Sequence, residues 1–252
     1  MTRPPVFPIL TKRSLHDGLV TFLACDVLAR NGGSGVALRS DTGTNTKTSR
    51  KERERLVRKR DIMRAARELF ATKGFHDTSL DDIAREAEFG KGTIYNYFSS
   101  KEDLFFAIIE DVLEGVHAVA ESAVRNTEGH AREKLAAYAS GLVSYCREHC
   151  DLLRVISRGV PHIHSKEHAA RVSEMRRMNN RTLKTLARPI AQDMRDGRLR
   201  AVEAEQVALL FDGALHFFLM RRVNEEGTVD SRRLNEGVSL LTTLFFDGLE
   251  RK

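Results

Sequence analysis

After residue 8 the 252-residue chain contains only two prolines, Pro161 and Pro189. Proline locks φ and removes a backbone donor, at a cost of about 3 kcal/mol inside a helix. A chain that all but excludes it is free to run as helix along most of its length. The apolar residues agree. Ile62, Ala65, Ala66, Leu69 and Phe70 fall on one stripe at i, i+3, i+4, i+7 and i+8. Leu104, Ile108, Ile109, Val112 and Val116 make a second stripe. Further amphipathic helices are expected at roughly 131–148, 150–158, 167–196, 203–225 and 230–250. Gly129, Gly159, Gly197 and Gly227 punctuate them, and Pro189 is expected to kink the longest. No segment alternates as a strand would, and no internal repeat is present. The expected fold class is all-α.

Hydrophobic residues at 41 % supply a sizeable core. No run of about 18 apolar residues offers a membrane-spanning helix. Cys25, Cys146 and Cys150 are too few for a disulfide framework, which suits a reducing, cytoplasmic setting.

The net charge of +6 is unevenly placed: +3 over residues 1–49, +3 over 50–100 and zero over 101–252. In the middle block the excess sits in Arg50, Lys51, Arg53, Arg55, Arg58, Lys59 and Arg60, interrupted only by Glu52 and Glu54. Such a cluster at the head of a helical segment is an electrostatic footprint for phosphate. The plainer alternative is a solvated helix start with Glu–Arg pairs at helical spacing. Residues 1–54 read as an extension rather than as part of a domain. Pro4, Pro5 and Pro8 open it, and residues 31–49 are a Gly/Ser/Thr-rich tract of linker composition. Lys12 and Arg13 ahead of residues 19–25 sketch a leader peptide, but the apolar run is too short and His16 and Asp17 adjoin it. The extension is therefore expected to be poorly ordered.

Residues 55–118 show three helices and the start of a fourth. Gly74 after Lys73 is a left-handed stop. Thr78 or Ser79 caps a two-turn helix, with Asp81 and Asp82 at the positive end of its dipole. Ile83, Ala84 and Ala87 are its buried side. A third short helix is expected over about 91–98, with Ile94, Tyr97 and Phe98 inward. Ser100 and Asp103 then approximate a capping box for the long helix. Short helices with a tight turn between the second and third make a helix-turn-helix arrangement. Its last helix enters the major groove, while the one before crosses the backbone. The chemistry suits that task. Gly90 and Gly92 remove side chains where a helix start approaches DNA. Lys91 and Thr93 reach phosphate or base edges, Tyr95 and Tyr97 offer hydroxyls on flat rings, and Asn96 donates and accepts. Lys101 stands at the next helix N-terminus, itself an anion site.

The residues Ile62-Met-Arg-Ala-Ala66, Leu69-Phe70, Gly74-Phe75, Thr78-Ser-Leu-Asp-Asp-Ile-Ala84, Gly90-Lys-Gly-Thr-Ile-Tyr-Asn-Tyr-Phe98 and Lys101-Glu-Asp-Leu104 run without a gap. Together they resemble the DNA-binding domain of TetR-family regulators. The resemblance implies an all-α homodimer. Residues 55–118 would be its helix-turn-helix domain, and 119–252 a helical domain that binds a small effector and dimerises. It implies a ligand-responsive transcriptional regulator: a repressor that binds a pseudo-palindromic DNA operator as a homodimer and is released by a small molecule. Carried over by motif position, Thr78, with Ser79 beside it, stands as a phosphate contact. Lys91, Gly92, Thr93, Tyr95 and Asn96 stand as the groove-facing set, and Tyr97 and Lys101 as backbone clamps. The plainer readings are packing beside Phe98 for Tyr97 and capping for Thr78.

Two positions depart from the family's usual Ala-Gly-Val-Ser turn, which here reads Ala87-Glu-Phe-Gly90. Glu88 stands where glycine tolerates positive φ, at a cost of up to roughly 1–2 kcal/mol. Gly90 replaces the capping serine and leaves only a backbone N–H for phosphate. Gly90-Lys91-Gly92-Thr93 is not a nucleotide phosphate loop. Gly92 rather than Ser or Thr follows the lysine, Arg85 stands where the first glycine is needed, and no strand precedes it.

Beyond residue 118 only the family's layout persists. The last two helices are strongly apolar: Val207, Leu210, Phe211, Ala214, Leu215 and Phe218, then Leu234, Val238, Leu241, Phe245 and Leu249. A pair of such helices meeting its symmetry mate is the dimer mode the resemblance implies; the alternative is that they only fill the monomer core. Tyr138, Tyr145, Phe211 and His216 are candidates for lining the effector pocket, with core packing as the alternative for each. His162, His164 and His168, and Cys146, His149 and Cys150, raise metal or redox sensing. No acidic or cysteine ligand is fixed near the histidines, and neither metal nor cofactor is expected. No nucleophile–base pair or cofactor loop marks an enzyme. The alternatives to a regulator are a helical enzyme using the C-terminal half, or an adaptor without sequence-specific DNA binding. Effector binding is expected to act through the long helix that starts at Lys101.

Overall fold

The computed structural model describes residues 49–149, 168–226 and 231–249. Regular structure among the described residues is helical: α1 (Arg50–Thr72), α2 (Leu80–Glu86), α3 (Lys91–Tyr95), α4 (Lys101–Asn126), α5 (Ala131–Glu148), α6 (Ala169–Arg195), α7 (Ala204–Glu226) and α8 (Ser231–Leu249). The helix expected at 150–158, and Cys25, Cys150, His162 and His164, lie outside the described residues. No described helix is long and apolar enough to cross a membrane.

The helix ends follow from local chemistry. α1 starts at Arg50 because the Ser49 hydroxyl accepts the Glu52 N–H at 3.2 Å. Residues 50–54 are thus helical, so α1 starts five residues before the point at which the sequence pattern becomes helical. The helix stops at Gly74, whose φ of 91° suits only glycine and whose N–H reaches Phe70 O at 3.1 Å. Ser79 and Asp82 form a reciprocal capping box for α2. At α4 the Ser100 hydroxyl accepts the Asp103 N–H, while the Asp103 carboxylate reaches back to the Ser99 N–H at 3.0 Å, one residue earlier than a standard box. Pro189 lies inside α6 and is buried.

Packing is organised by α4. Its residues 104–109 are all buried, so it is covered around its full circumference there. Phe105 meets Phe70 of α1 and Phe75 of the loop that follows it, at ring distances of 6.1 and 5.4 Å. Further along, α4 packs on α5 and α6. The approach to α5 is close: a Cβ on Gly115 would lie 2.2 Å from the Tyr145 hydroxyl. Behind these, α7 and α8 join through Phe211, Phe245 and Phe246. One continuous core runs from Ile62 to Phe246, and residue 118 falls within α4 rather than at a break.

A polar group is embedded between α5 and α7. The buried Asp212 carboxylate accepts the Tyr138 hydroxyl at 2.5 Å and stands 3.2 Å from His216 Nδ1, which also lies 3.0 Å from Asp212 O. Burial opposes charge on His216, but the Asp212 charge and hydrogen bonds overcome it and raise the imidazole pKa to about 9. Burial likewise opposes the Asp212 charge, yet His216 and Tyr138 hold its pKa below the usual carboxylate value. A raised histidine pKa stabilises the fold fully below its unfolded value near 6.5 and ceases to do so as pH passes the folded value. Unfolding free energy should therefore fall by roughly 2–3 kcal/mol more between pH 6.5 and 9.5 in the wild type than in His216→Gln. Denaturant melts across that range check it, and parallel pH profiles for the two proteins would refute it.

Candidate nucleic-acid interface

The turn from α2 to α3 is built by backbone geometry. Phe89 N–H returns to Ala84 O at 2.9 Å, and Glu88 takes φ 57°, the strained position expected from sequence. Gly90 is the extended N-cap of α3 and provides no side-chain cap. α3 is shorter than expected and ends at Tyr95, because Tyr97 and Phe98 both donate to Ile94 O in a tightened turn. Ile94 and Phe98 are buried and fix its orientation.

The outward side of α3 carries Lys91, Gly92, Tyr95 and Asn96, all exposed, with Thr93 partly so. Tyr95 is half exposed, unusual for an aromatic ring with no role in the core. A Cβ at Gly90 or Gly92 would meet nothing within 4 Å, so no described neighbour requires glycine at either place. Lys91 Nζ lies 2.9 Å from the Asp81 carboxylate, which ties α3 to the first turn of α2 and raises the lysine pKa. Ser79 is exposed, and its hydroxyl donates to Asp82 at 2.7 Å. Hydrogen bonds from Ser79 hold the Asp82 carboxyl below its ordinary range. Tyr97 is partly buried, with the Arg55 guanidinium 6.0 Å over its ring.

Two expected DNA contacts have partners inside the protein. Thr78 is 1 % exposed and its hydroxyl donates to Gly74 O at 2.7 Å, so the side chain closes the α1–α2 loop and cannot reach phosphate. The Lys101 side chain, expected as a backbone clamp, is engaged within the protein. Its ammonium donates to Phe75 O at 2.6 Å, His76 O at 3.2 Å and Thr78 O at 2.8 Å, and sits 4.5 Å over the Phe75 ring. It staples the start of α4 to the α1–α2 loop, and its N–H donors are used up in doing so.

The pocket candidates are also placed. Tyr138 and Phe211 are fully buried and pack within the core. Tyr145 is partly buried over Gly115, with His149 4.5 Å from its ring, and burial pushes its hydroxyl up to about 12. His216 is held by Asp212 as described. Burial pushes the Cys146 thiol up to about 12, which keeps it protonated and unreactive. Among the described residues no three His, Cys, Asp or Glu side chains converge as metal ligands do.

One junction was not anticipated. Arg171, at the start of α6, donates to both Glu110 oxygens at 2.6 and 2.9 Å and also pairs with Asp103. Burial opposes the Asp103 charge, but the Ser99 N–H and Arg171 hold its pKa low. Through Asp103 the C-terminal helices are thus joined to the turn that follows α3. A separation of 68 residues hides such a pair from any local reading.

These elements define a helix-turn-helix unit carried on a helical body. Residues 62–108 match the family described as bacterial regulatory proteins, tetR family. The chain is 42 % identical to the HTH-type transcriptional regulator YfiR of Bacillus subtilis over 67 residues, 26 % of this chain and 33 % of that protein. It is 40 % identical to the regulator HbdR of Aromatoleum over 57 residues, 23 % of this chain and 25 % of that one. The matched stretch thus spans a quarter to a third of these relatives. Fold likeness reaches further. The transcriptional regulator FadR of Bacillus subtilis, solved with stearoyl-CoA, superposes with a TM-score of 0.64 at 20 % identity, covering 75 % of this chain and 98 % of that one. PfmR of Thermus thermophilus gives 0.58 at 22 % identity, covering 81 % and 100 %.

Replacing the staple tests the reassignment of Lys101. Lys101→Met keeps the stem over Phe75 and removes the charged donors, and should lower stability by about 2 kcal/mol in urea melts. A variant as stable as the wild type would return Lys101 to the solvent-facing role.

Proposed function

We propose that the protein is a ligand-responsive transcriptional repressor that binds a pseudo-palindromic DNA operator as a homodimer. The observation that carries this reading is the outward surface of α3, where Gly92, Tyr95 and Asn96 stand exposed on a TetR-type helix-turn-helix. In this reading residues 55–118 are the reading head and 119–252 the effector-binding and dimerisation body. Lys91, Gly92, Thr93, Tyr95 and Asn96 face the groove. Ser79 and Tyr97, at the margins, meet phosphate. Its place of action is the cytoplasm, with the DNA.

Dimerisation is supported by α7 and α8. Both bury apolar side chains inward, yet Leu210, Phe217, Leu240 and Leu244 remain 59–66 % exposed. A helix apolar on opposite faces calls for cover on both. A second copy provides it and sets two copies of α3 the roughly 34–36 Å apart that successive major grooves demand. A small effector in the body then acts through α4. Arg171 grips its first turns from α6, and Lys101 joins those turns to the reading head. Full release needs an effector that prefers the free state by roughly 10⁴-fold, and DNA must weaken its binding by the same factor. The stearoyl-CoA held by the FadR structure makes acyl-CoAs the first ligands to try.

Two experiments test the reading. Duplexes recovered from a random pool by the wild-type protein should share a palindrome. Tyr95→Ala should lower preference for it over bulk DNA by about 10-fold or more, as the loss of 1–3 kcal/mol of base discrimination implies. Equal preference in the variant would remove Tyr95 from the groove. In sedimentation, the wild type should run as a dimer and the double variant Phe217→Glu, Leu244→Glu as a folded monomer. A dimer that survives both charges would place the interface elsewhere.

A further inference from the structure

We propose that the first turns of α1 form a second DNA-contacting element, a basic arm along the phosphates that flank the groove entered by α3. The proposal rests on the DNA-binding reading above. α1 has 23 residues, but its buried contacts begin only at Ile62, which is also where the family match begins. Residues 50–61 therefore project about 18 Å beyond the packed helices. They are exposed apart from the half-buried Glu52 and Asp61.

The register of this overhang gives it a direction. Lys51, Arg55, Arg58 and Lys59 precede Ile62 at helical spacing and continue the stripe that Ile62, Ala66 and Leu69 occupy further down. One face of α1 is thus apolar where it meets the core and basic where it leaves it. That basic face lies on the side of α3. The Arg55 guanidinium is 6.0 Å over the Tyr97 ring, and the Lys59 ammonium is 5.8 Å over the Phe98 ring, just past the end of α3. Internal ion pairs neutralise only part of the cluster. Arg50 does pair closely with Glu54 at 2.9 Å, but Arg55 stands 3.8 Å from Glu52. No described carboxylate forms an ion pair with Lys51, Arg58 or Lys59. From Lys51 to Lys59 is about 12 Å along the helix. A DNA strand sets a phosphate about every 3.4 Å, so the stripe carries close to one cation per phosphate over its length.

The test uses the full chain and a duplex that the wild-type protein has recovered from a random pool. Affinity is measured across a salt titration for the wild type, for K51Q/R55Q/R58Q/K59Q, and for K51Q/R58Q, which leaves both ring contacts in place. Each lost phosphate contact should reduce the log–log salt slope by about 0.9, and a dimer loses each contact twice, so the quadruple variant should lose about seven units and the double variant about three to four. The preferred sequence should not change, and the hydroxyl-radical footprint should shorten at its flanks. K51R/K59R should keep the wild-type slope. An unchanged slope in variants that melt like the wild type overturns the arm. So does a changed sequence preference, which would make these residues base readers. A wild type that recovers no duplex overturns the regulator reading and the arm together, an outcome distinct from an unchanged slope.

Discussion

The burial of α4 along residues 104–109 is the constraint on which the rest of the molecule depends. A helix covered around its circumference cannot rotate or slide without disturbing every neighbour, because cores pack at crystal-like density. The N-terminal helices hold it through Phe70, Phe75 and Phe105, and the C-terminal helices hold it further along. The helix-turn-helix unit is therefore not a bead on a tether. A displacement of α4 would disturb α1, which packs on it, and through α1 and α2 the placement of α3.

Polar staples reinforce the same helix at both ends. Lys101 gathers the carbonyls of Phe75, His76 and Thr78 at its start. Lys134 gathers those of Val124 and Thr127 at its finish, at 2.9 and 2.7 Å. In each case an ammonium with three donors satisfies carbonyls that a turn leaves without helical partners. Asp193 does the converse at the α5 N-terminus, where its buried carboxylate accepts the Ala131 N–H at 2.8 Å and an Arg198 N–H at 3.0 Å. The loops around α4 are held by charge-assisted bonds as well as by apolar contact.

Much of the fold was legible because its signals are local. The stripes, the left-handed Gly74, the strained Glu88 and the caps at Ser79 and Ser100 each depend on residues a few positions apart. The helix bounds at α5 and α8 fell within a residue or two for the same reason. What escaped was long-range. Nothing near Lys101 in sequence announces that its ammonium will turn back onto a loop some 25 residues earlier. The motif position alone suggested phosphate. Thr78 was misplaced for a related reason, since a hydroxyl at a helix start serves a cap, a phosphate or a loop carbonyl equally well. Tyr138 and Phe211 carry the residue types of a pocket, but those types serve a core as readily. The start of α1 was set too late because the apolar stripe stops at Ile62, while a capped, ion-paired helix needs no apolar face to continue for a few turns.

That last point bears on how affinity and specificity divide. On the proposed reading, α3 offers few side chains to base edges, and Lys91 among them is partly neutralised by Asp81. Base contacts select the sequence, whereas most of the binding free energy and its salt dependence come from phosphates. A reading head whose own lysines are engaged in staples, Lys101 to carbonyls and Lys91 to a carboxylate, must find that electrostatic attraction elsewhere. The stripe of Lys51, Arg55, Arg58 and Lys59 is where the chain keeps it, on the helix whose core-facing side already fixes the angle at which it leaves the protein. Because that helix packs on α4, a shift of α4 would move both the base-reading helix and the phosphate-binding stripe. An effector would then weaken selection and attraction in a single step.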